Sequence, residues 1–195
     1  MKVTDLEKNC HSKKIYLGID PAKEGAAVAI CKGKALFALL WKPIRKQKIT
    51  FYSLRLMDVE GYSVVMANCR RLSEIGKFIG EIDMLKNKEV VLSLEDAYYK
   101  PNPKVTISVS KTAGMIAAPI EIAHNIDSHW VKASVWRHKV LRLNPFTKRE
   151  QAKHASLKLI PSIVSGMDMV LHKIGNYDHL TDAAGVAYWA YQQQL

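Results

Sequence analysis

Ile15-Tyr16-Leu17-Gly18-Ile19-Asp20-Pro21 is an apolar run that stops abruptly on an acid, and a second apolar run, Gly25 to Cys31, begins shortly after it. The first run reads as a buried strand, Lys13 to Asp20. Desolvating a carboxylate at the mouth of such a strand is costly unless the acid is paired or holds a metal. Which other acids join Asp20 is the question that organises the chain.

Working outward, Gly25–Cys31, the turn Lys32-Gly33-Lys34 and Ala35–Trp41 carry a hairpin signal, two apolar runs around a short Gly-containing loop. Residues 42–67 are aromatic and β-branched and read as an inserted ribbon or loop excursion. Arg70 to Lys86 is helical in pattern, with Leu72, Ile75, Ile79, Ile82 and Leu85 on one face. Lys88 to Leu94 is a β-branched run that stops at Glu95. Thr106 to Asn125 reads as a second helix that Pro119 kinks or interrupts, and Trp130 to Lys132 as a short strand. Thr147 to Ile160 is a third helix, with Thr147 and Glu150 at capping-box spacing and Pro161 as its stop. Asp178 to Gln192 closes the chain. Strands first, then helix and strand in alternation, predict an α/β fold with a mixed sheet and helices on its faces. About five strands fit this length.

The chain has 195 residues, 48% of them hydrophobic, which suits one compact domain over 1–195 with no long disordered tract. The first dozen residues are polar and mixed; they read as a frayed terminus without the apolar core of a signal peptide. No stretch approaches the roughly 18 apolar residues of a membrane span. Cys10, Cys31 and Cys69 are scattered, odd in number and lack CxxC spacing. That pattern argues for a reducing compartment and against a zinc knuckle or disulfide scaffold. The net charge of +11 points to a polyanion partner, nucleic acid being the commonest.

Two strands thus end in carboxylates, Asp20 and Glu95. The last helix opens Tyr177-Asp178-His179-Leu180-Thr181-Asp182 and continues with the small residues Ala183-Ala184-Gly185. Asp178 and Asp182, or His179 and Asp182, can share a helical face, and the small residues let that helix press close to the sheet. Crowded like charges repel unless a cation lies between them, and Mg²⁺ accepts carboxylate oxygens readily. Taken singly, each acid has a plainer reading: Asp20-Pro21 as turn chemistry, Glu95-Asp96 as a solvated strand end, Asp178 and Asp182 as acids at the positive end of a helix. Their joint occurrence on one basic chain favours a shared site.

With these residues in place the chain resembles the RuvC-type Holliday junction resolvases, a branch of the ribonuclease H-like superfamily. The resemblance rests on Leu17-Gly18-Ile19-Asp20-Pro21, Leu94-Glu95 and His179-Leu180-Thr181-Asp182-Ala183-Ala184, and it spans roughly residues 13–192. It implies a five-stranded mixed sheet, three antiparallel strands then two parallel ones, flanked by helices. It implies that Asp20, Glu95, His179 and Asp182 are catalytic and hold two Mg²⁺ ions, for which Mn²⁺ substitutes, with Asp178 as a substitute ligand or supporting partner of His179. Tyr98 matches an aromatic position that stacks on bases near the crossover, a contact worth about 1–3 kcal/mol per base. Lys132, Lys148 and Arg149 match basic residues near the scissile phosphate. Composition supports that independently: between Val131 and Lys158 the only acid among many Lys and Arg residues is Glu150, a phosphate-backbone footprint.

The implied activity is Mg²⁺-dependent cleavage of four-way and other branched DNA to 5′-phosphate ends, by a homodimer in the cytoplasm of a bacterial or phage-infected cell. Ala22, where the family usually has Gly, and the long segment 42–67 mark a divergent, phage-like member. Two alternatives keep other chemistry open. One is an RNA-processing nuclease of the YqgF or ribonuclease H type; the other is a domain that binds structured nucleic acid without cutting it.

Overall fold

A computed structural model of the chain describes residues 14–44, 48–56, 62–69, 71–96, 103–175 and 177–195. Strands β1 (Lys14–Asp20), β2 (Gly25–Cys31), β3 (Lys34–Ile44), β4 (Lys48–Leu56) and β5 (Tyr62–Cys69) come first. Helix α1 (Leu72–Gly80), a short 3-10 turn, β6 (Glu89–Glu95), α2 (Pro103–His124) and β7 (Ser128–Val131) follow. Helices α3 (Ala133–Leu141), α4 (Arg149–Ile163), α5 (Met167–Ile174) and α6 (Asp178–Gln193) complete the chain. The sheet has seven strands in the order β5-β4-β3-β2-β1-β6-β7. The strands β1 to β5 pair antiparallel in succession, while β6 and β7 run parallel to β1.

The α/β class and the mixed sheet agree with the sequence; the strand count does not. The expected three antiparallel and two parallel strands are present, and of the two readings of segment 42–67 the extra ribbon is the one its described residues bear out. It prolongs β3 and adds β4 and β5 to the same ladder. Its β-branched and aromatic residues favour pleated pairing, and a long β3 left as an edge would expose unpaired backbone groups. The β2–β3 connection is a two-residue turn with positive φ at both Lys32 and Gly33, the geometry that matches strand twist.

Several local expectations are corrected. The N-cap of α4 is Lys148, with no side-chain cap bond, so the Thr147/Glu150 capping box does not form. Pro161 lies inside α4 rather than ending it; only one backbone donor is missing near the end, and Val164 N–H still reaches the Ile160 carbonyl at 2.8 Å. Pro119 does not interrupt α2, which runs on to His124. Helices α3 and α5 lie in stretches that the sequence patterns above leave without an element. Each is short and buries only three residues, Trp136, Val140 and Leu141 in one and Met167, Val170 and Leu171 in the other. Cys31 is disulfide-bonded, against the expectation of reduced cysteines, so cysteine usage no longer argues for a reducing compartment. Among the described residues no helix is long and apolar enough to cross a membrane.

Strand alternation divides the core in two. Ile15, Leu17, Ile19, Val90, Leu92 and Leu94 face α1 and α2, packing on Ile75, Ile79, Ile116 and Ile120. Tyr16, Val91, Ala26 and Val28 face α6 and its neighbours, with Trp136, Leu180, Ala183 and Ala187. Because successive side chains point to opposite faces, Asp20 and Glu95 fall on the α6 face. The sequence thereby sends both acids toward the last helix.

Candidate active site

The parallel pairing of β1 with β6 runs up to Ile19 opposite Leu94. Asp20 and Glu95 are the next residue of each strand, side by side at the carboxyl ends of two inner strands. Helix α6 lies on the sheet face beside them, and its approach depends on glycine. A Cβ on Gly18 would stand 2.1 Å from the Ala183 carbonyl oxygen and 2.4 Å from the Ala187 nitrogen. The second and third turns of α6 therefore sit directly over β1, with the first turn just beyond its end. His179 Nδ1 meets Asp20 Oδ2 at 2.5 Å. Facing a carboxylate, which only accepts, Nδ1 carries the hydrogen.

The acids are not left to face one another alone. Arg137, from α3, donates to Asp182 Oδ2 at 2.6 Å and stands 4.0 Å from Glu95 Oε2. Both carboxylates thus share one guanidinium nitrogen. Trp136 Nε1 donates to Glu95 Oε2 at 2.8 Å. The Trp136 ring fits because position 185 is glycine; a Cβ there would lie 2.3 Å from the ring. Asp178 is ion-paired with Lys153 of α4 and turns toward that helix. On the other side of the site, Trp41 Nε1 donates to the Ala22 carbonyl at 3.1 Å and holds the chain after Pro21.

Protonation follows from this crowding. Burial, then the charges of Asp20 and Asp182, pushes Glu95 up to about 8, with Arg137 and the Trp136 hydrogen bond pulling the other way. Burial also raises Asp182, to about 6, although Arg137 opposes it. For His179, burial disfavours the imidazolium, but the hydrogen bond and charge of Asp20 outweigh it and raise its pKa. Burial works against the Asp178 carboxylate too, and the Lys153 hydrogen bond more than compensates, holding it below the usual range.

Asp20, Glu95, Asp178, His179 and Asp182 all line one cleft of about 480 Å³. Arg137, Arg149 and Lys153 line it as well, while Lys132 and Lys148 do not; those two are exposed N-cap residues of α3 and α4. Tyr98 lies outside the described residues. Sequence reading missed Arg137 and Trp136 as members of the site. Arg137 was visible only as one charge among many in a basic stretch, and nothing in its spacing tied it to Asp182.

The donors suit a hard divalent cation in kind: three carboxylates and an imidazole at one cleft, mostly buried. Asp182 Oδ1 is buried without a hydrogen-bond partner, an acceptor still open to a ligand. Arg137 bonds Asp182 and stands beside Glu95. Among the described residues no three His, Cys, Asp or Glu side chains are already arranged to hold one ion. A cation entering here competes with the guanidinium for Asp182.

No family model and no curated protein matches the sequence. The fold does match solved structures. A Thermus thermophilus RuvC structure is similar with a TM-score of 0.50 at 12% identity, over 92% of this chain and 96% of that one. T. thermophilus RuvC in complex with a Holliday junction substrate is similar with a TM-score of 0.51 at 11% identity, over 92% and 94%. At that identity the likeness establishes a shared ribonuclease H-like architecture.

Proposed function

We propose that this chain, which has the RuvC fold, is a divalent-metal-dependent endonuclease that cuts branched DNA, four-way junctions foremost. The observation that carries the proposal is the meeting of Asp20, Glu95, His179 and Asp182 in one cleft whose other wall is the basic α3–α4 region. Acids in that number have no ordinary structural use at partly dry strand ends, and a basic rim recruits phosphates.

Asp20, Glu95, Asp182 and His179 are the residues that would hold the cations, with Asp178 kept by Lys153 as a support for the first turn of α6. When bound, two divalent cations supply Lewis-acid polarisation of the phosphodiester, a stronger water nucleophile and a stabilised leaving oxygen. The chain's own residues do the rest. His179 orients the Asp20 carboxylate through its Nδ1 hydrogen. Trp136 fixes the rotamer of Glu95. Arg149 gives the cleft positive charge against the phosphate, Lys153 being paired with Asp178, and Lys132 and Lys148 extend that charge along the exposed surface. In the reaction a water oxygen bonds to phosphorus, the bond to the 3′ oxygen breaks, and the water proton ends on that oxygen. The products are a 5′-phosphate and a 3′-hydroxyl. Paired cuts in a symmetric junction call for a C₂ homodimer.

Asp20→Asn tests the site. Cleavage of a four-way junction in Mg²⁺ should vanish while junction binding persists; retained cleavage refutes the assignment. Running a Y-fork, single-stranded RNA and an RNA/DNA hybrid beside the junction separates the resolvase from the RNA-directed nucleases. One observation favours the non-catalytic reading: Arg137 already neutralises Asp182. That reading predicts binding indifferent to Mg²⁺ and no nicking with Mg²⁺ or Mn²⁺.

A further inference from the structure

Phe146 is 92% exposed, whereas Phe37 is buried. Leaving a phenylalanine in water forgoes roughly 1.5–3 kcal/mol of burial free energy, so a fully presented ring is worth explaining when its backbone is held in place. This one is. Arg142 ends α3 in the left-handed conformation, and the Leu143 carbonyl lies 2.9 Å from His138 Nδ1. Asn144 then accepts twice: its side-chain oxygen from Phe146 N–H and its carbonyl from Thr147 N–H, both at 2.9 Å. Pro145 fixes φ between them. The loop presents the ring; it does not trail it.

Its position is as specific as its support. Asn144, Pro145, Thr147 and Arg149 line the cleft that holds Asp20 and Glu95, while Phe146 between them stands at the rim and faces solvent. Arg142, Lys148 and Arg149 around it are exposed. An exposed ring flanked by cations fits a nucleic-acid strand, whose phosphates take the charges and whose base takes the ring face. The same cations disfavour an apolar protein surface, which would have to desolvate them.

We propose that Phe146 is a base-stacking site at the mouth of the cleft, filled by a nucleobase that has left its own stack beside the phosphate to be cut. The inference rests on the nucleic-acid reading above and adds a substrate requirement to it. Bases inside a continuous duplex already stack on one another, so the ring acts only at branch points, flaps or other unpaired positions. It lies in the α3–α4 loop, apart from the segment that carries Tyr98.

The experiment uses the full-length protein in EDTA with a four-way junction carrying 2-aminopurine next to the branch point, and with an unbranched duplex of the same sequence. Wild type should raise the 2-aminopurine fluorescence of the junction as the base unstacks. Phe146→Ala should abolish that rise and weaken junction binding roughly 5- to 150-fold, the equivalent of one lost stacking contact. Its duplex affinity and melting temperature should stay at wild-type values, and Phe146→Trp should retain wild-type junction affinity. Unchanged junction affinity and fluorescence in Phe146→Ala overturn the inference. So does a change of oligomeric state in Phe146→Ala by light scattering, which would make the ring a contact between copies. If wild type binds neither DNA, the nucleic-acid reading itself is refuted.

Discussion

Arg137 joins a site that its position in sequence does not announce. One guanidinium serves Asp182 and Glu95, and its own Nε is buried without a partner. Removing one member of a buried ion pair leaves an uncompensated charge and costs roughly 3–5 kcal/mol, less here because Asp182, the carboxylate left behind, can take up a proton. Arg137→Gln should therefore lower the melting temperature of metal-free protein by several degrees, and more at pH 8 than at pH 6. Added Mn²⁺ should raise the melting temperature of the variant more than that of wild type, because the competing cation is gone; scanning fluorimetry reads both. An equal Mn²⁺ response in the two proteins would show that Arg137 and the metal do not compete.

The titration of the same residues sets the pH behaviour of the metal-free protein. Glu95 folded binds its proton up to about pH 8 and Asp182 up to about pH 6, both above their ordinary values. Between the ordinary carboxylate range and those values the native state holds more protons than the unfolded one, so stability falls as pH rises. His179 acts in the same direction: its raised pKa gives stability that is complete below its ordinary value and lost as pH climbs through the folded one. Asp178, depressed by Lys153, acts oppositely, but only in acid. Denaturant midpoints in EDTA should drop from pH 5 to pH 8; a flat or rising profile would contradict the buried, crowded carboxylates.

At the scale of elements, the decisive contact is α6 on β1. Gly18 admits the backbone of α6, and Gly185 admits the Trp136 ring that holds Glu95. Gly18→Ala places a methyl against backbone atoms that cannot step aside, and should destabilise by more than the usual 1–3 kcal/mol of overpacking. Gly185→Ala meets a side chain, so the fold should survive with a loss of about 1–3 kcal/mol. Its larger effect should be functional: junction cleavage should fall further than binding as Trp136 and Glu95 shift. Comparing the two variants by urea denaturation and by cleavage rate checks the ordering. Elements with strong periodicity were legible in sequence. The strand ending at Asp20, the run ending at Glu95 and the helix from Asp178 stand within a residue or so of where their patterns place them. Helix α3 is hard to see because it buries three residues and shows almost no period; α5 was legible in Met167, Val170, Leu171 and Ile174, spaced i, i+3, i+4 and i+7.

At the scale of the whole molecule, positive charge gathers on α3, α4 and the residues that cap and join them. Lys132, Lys139, Arg142, Lys148, Arg149 and Lys158 are exposed there, while Arg137 and Lys153 are engaged with Asp182 and Asp178. If those six side chains meet phosphates, junction affinity should fall about a thousandfold between 50 and 200 mM salt. A shallow dependence in a filter-binding or anisotropy titration would argue against this surface as the DNA face.

Local physics acts through neighbours in sequence, and it settled the alternation that sends Asp20 and Glu95 to one face, the acids opening α6, the small residues behind them and the basic tract. Tertiary structure alone decided what those acids meet. The pairing of His179 with Asp20, the guanidinium between Asp182 and Glu95 and the diversion of Asp178 to Lys153 all join residues far apart in sequence. Such contacts leave no periodic trace, because their energy depends on where separate elements come to rest against one another.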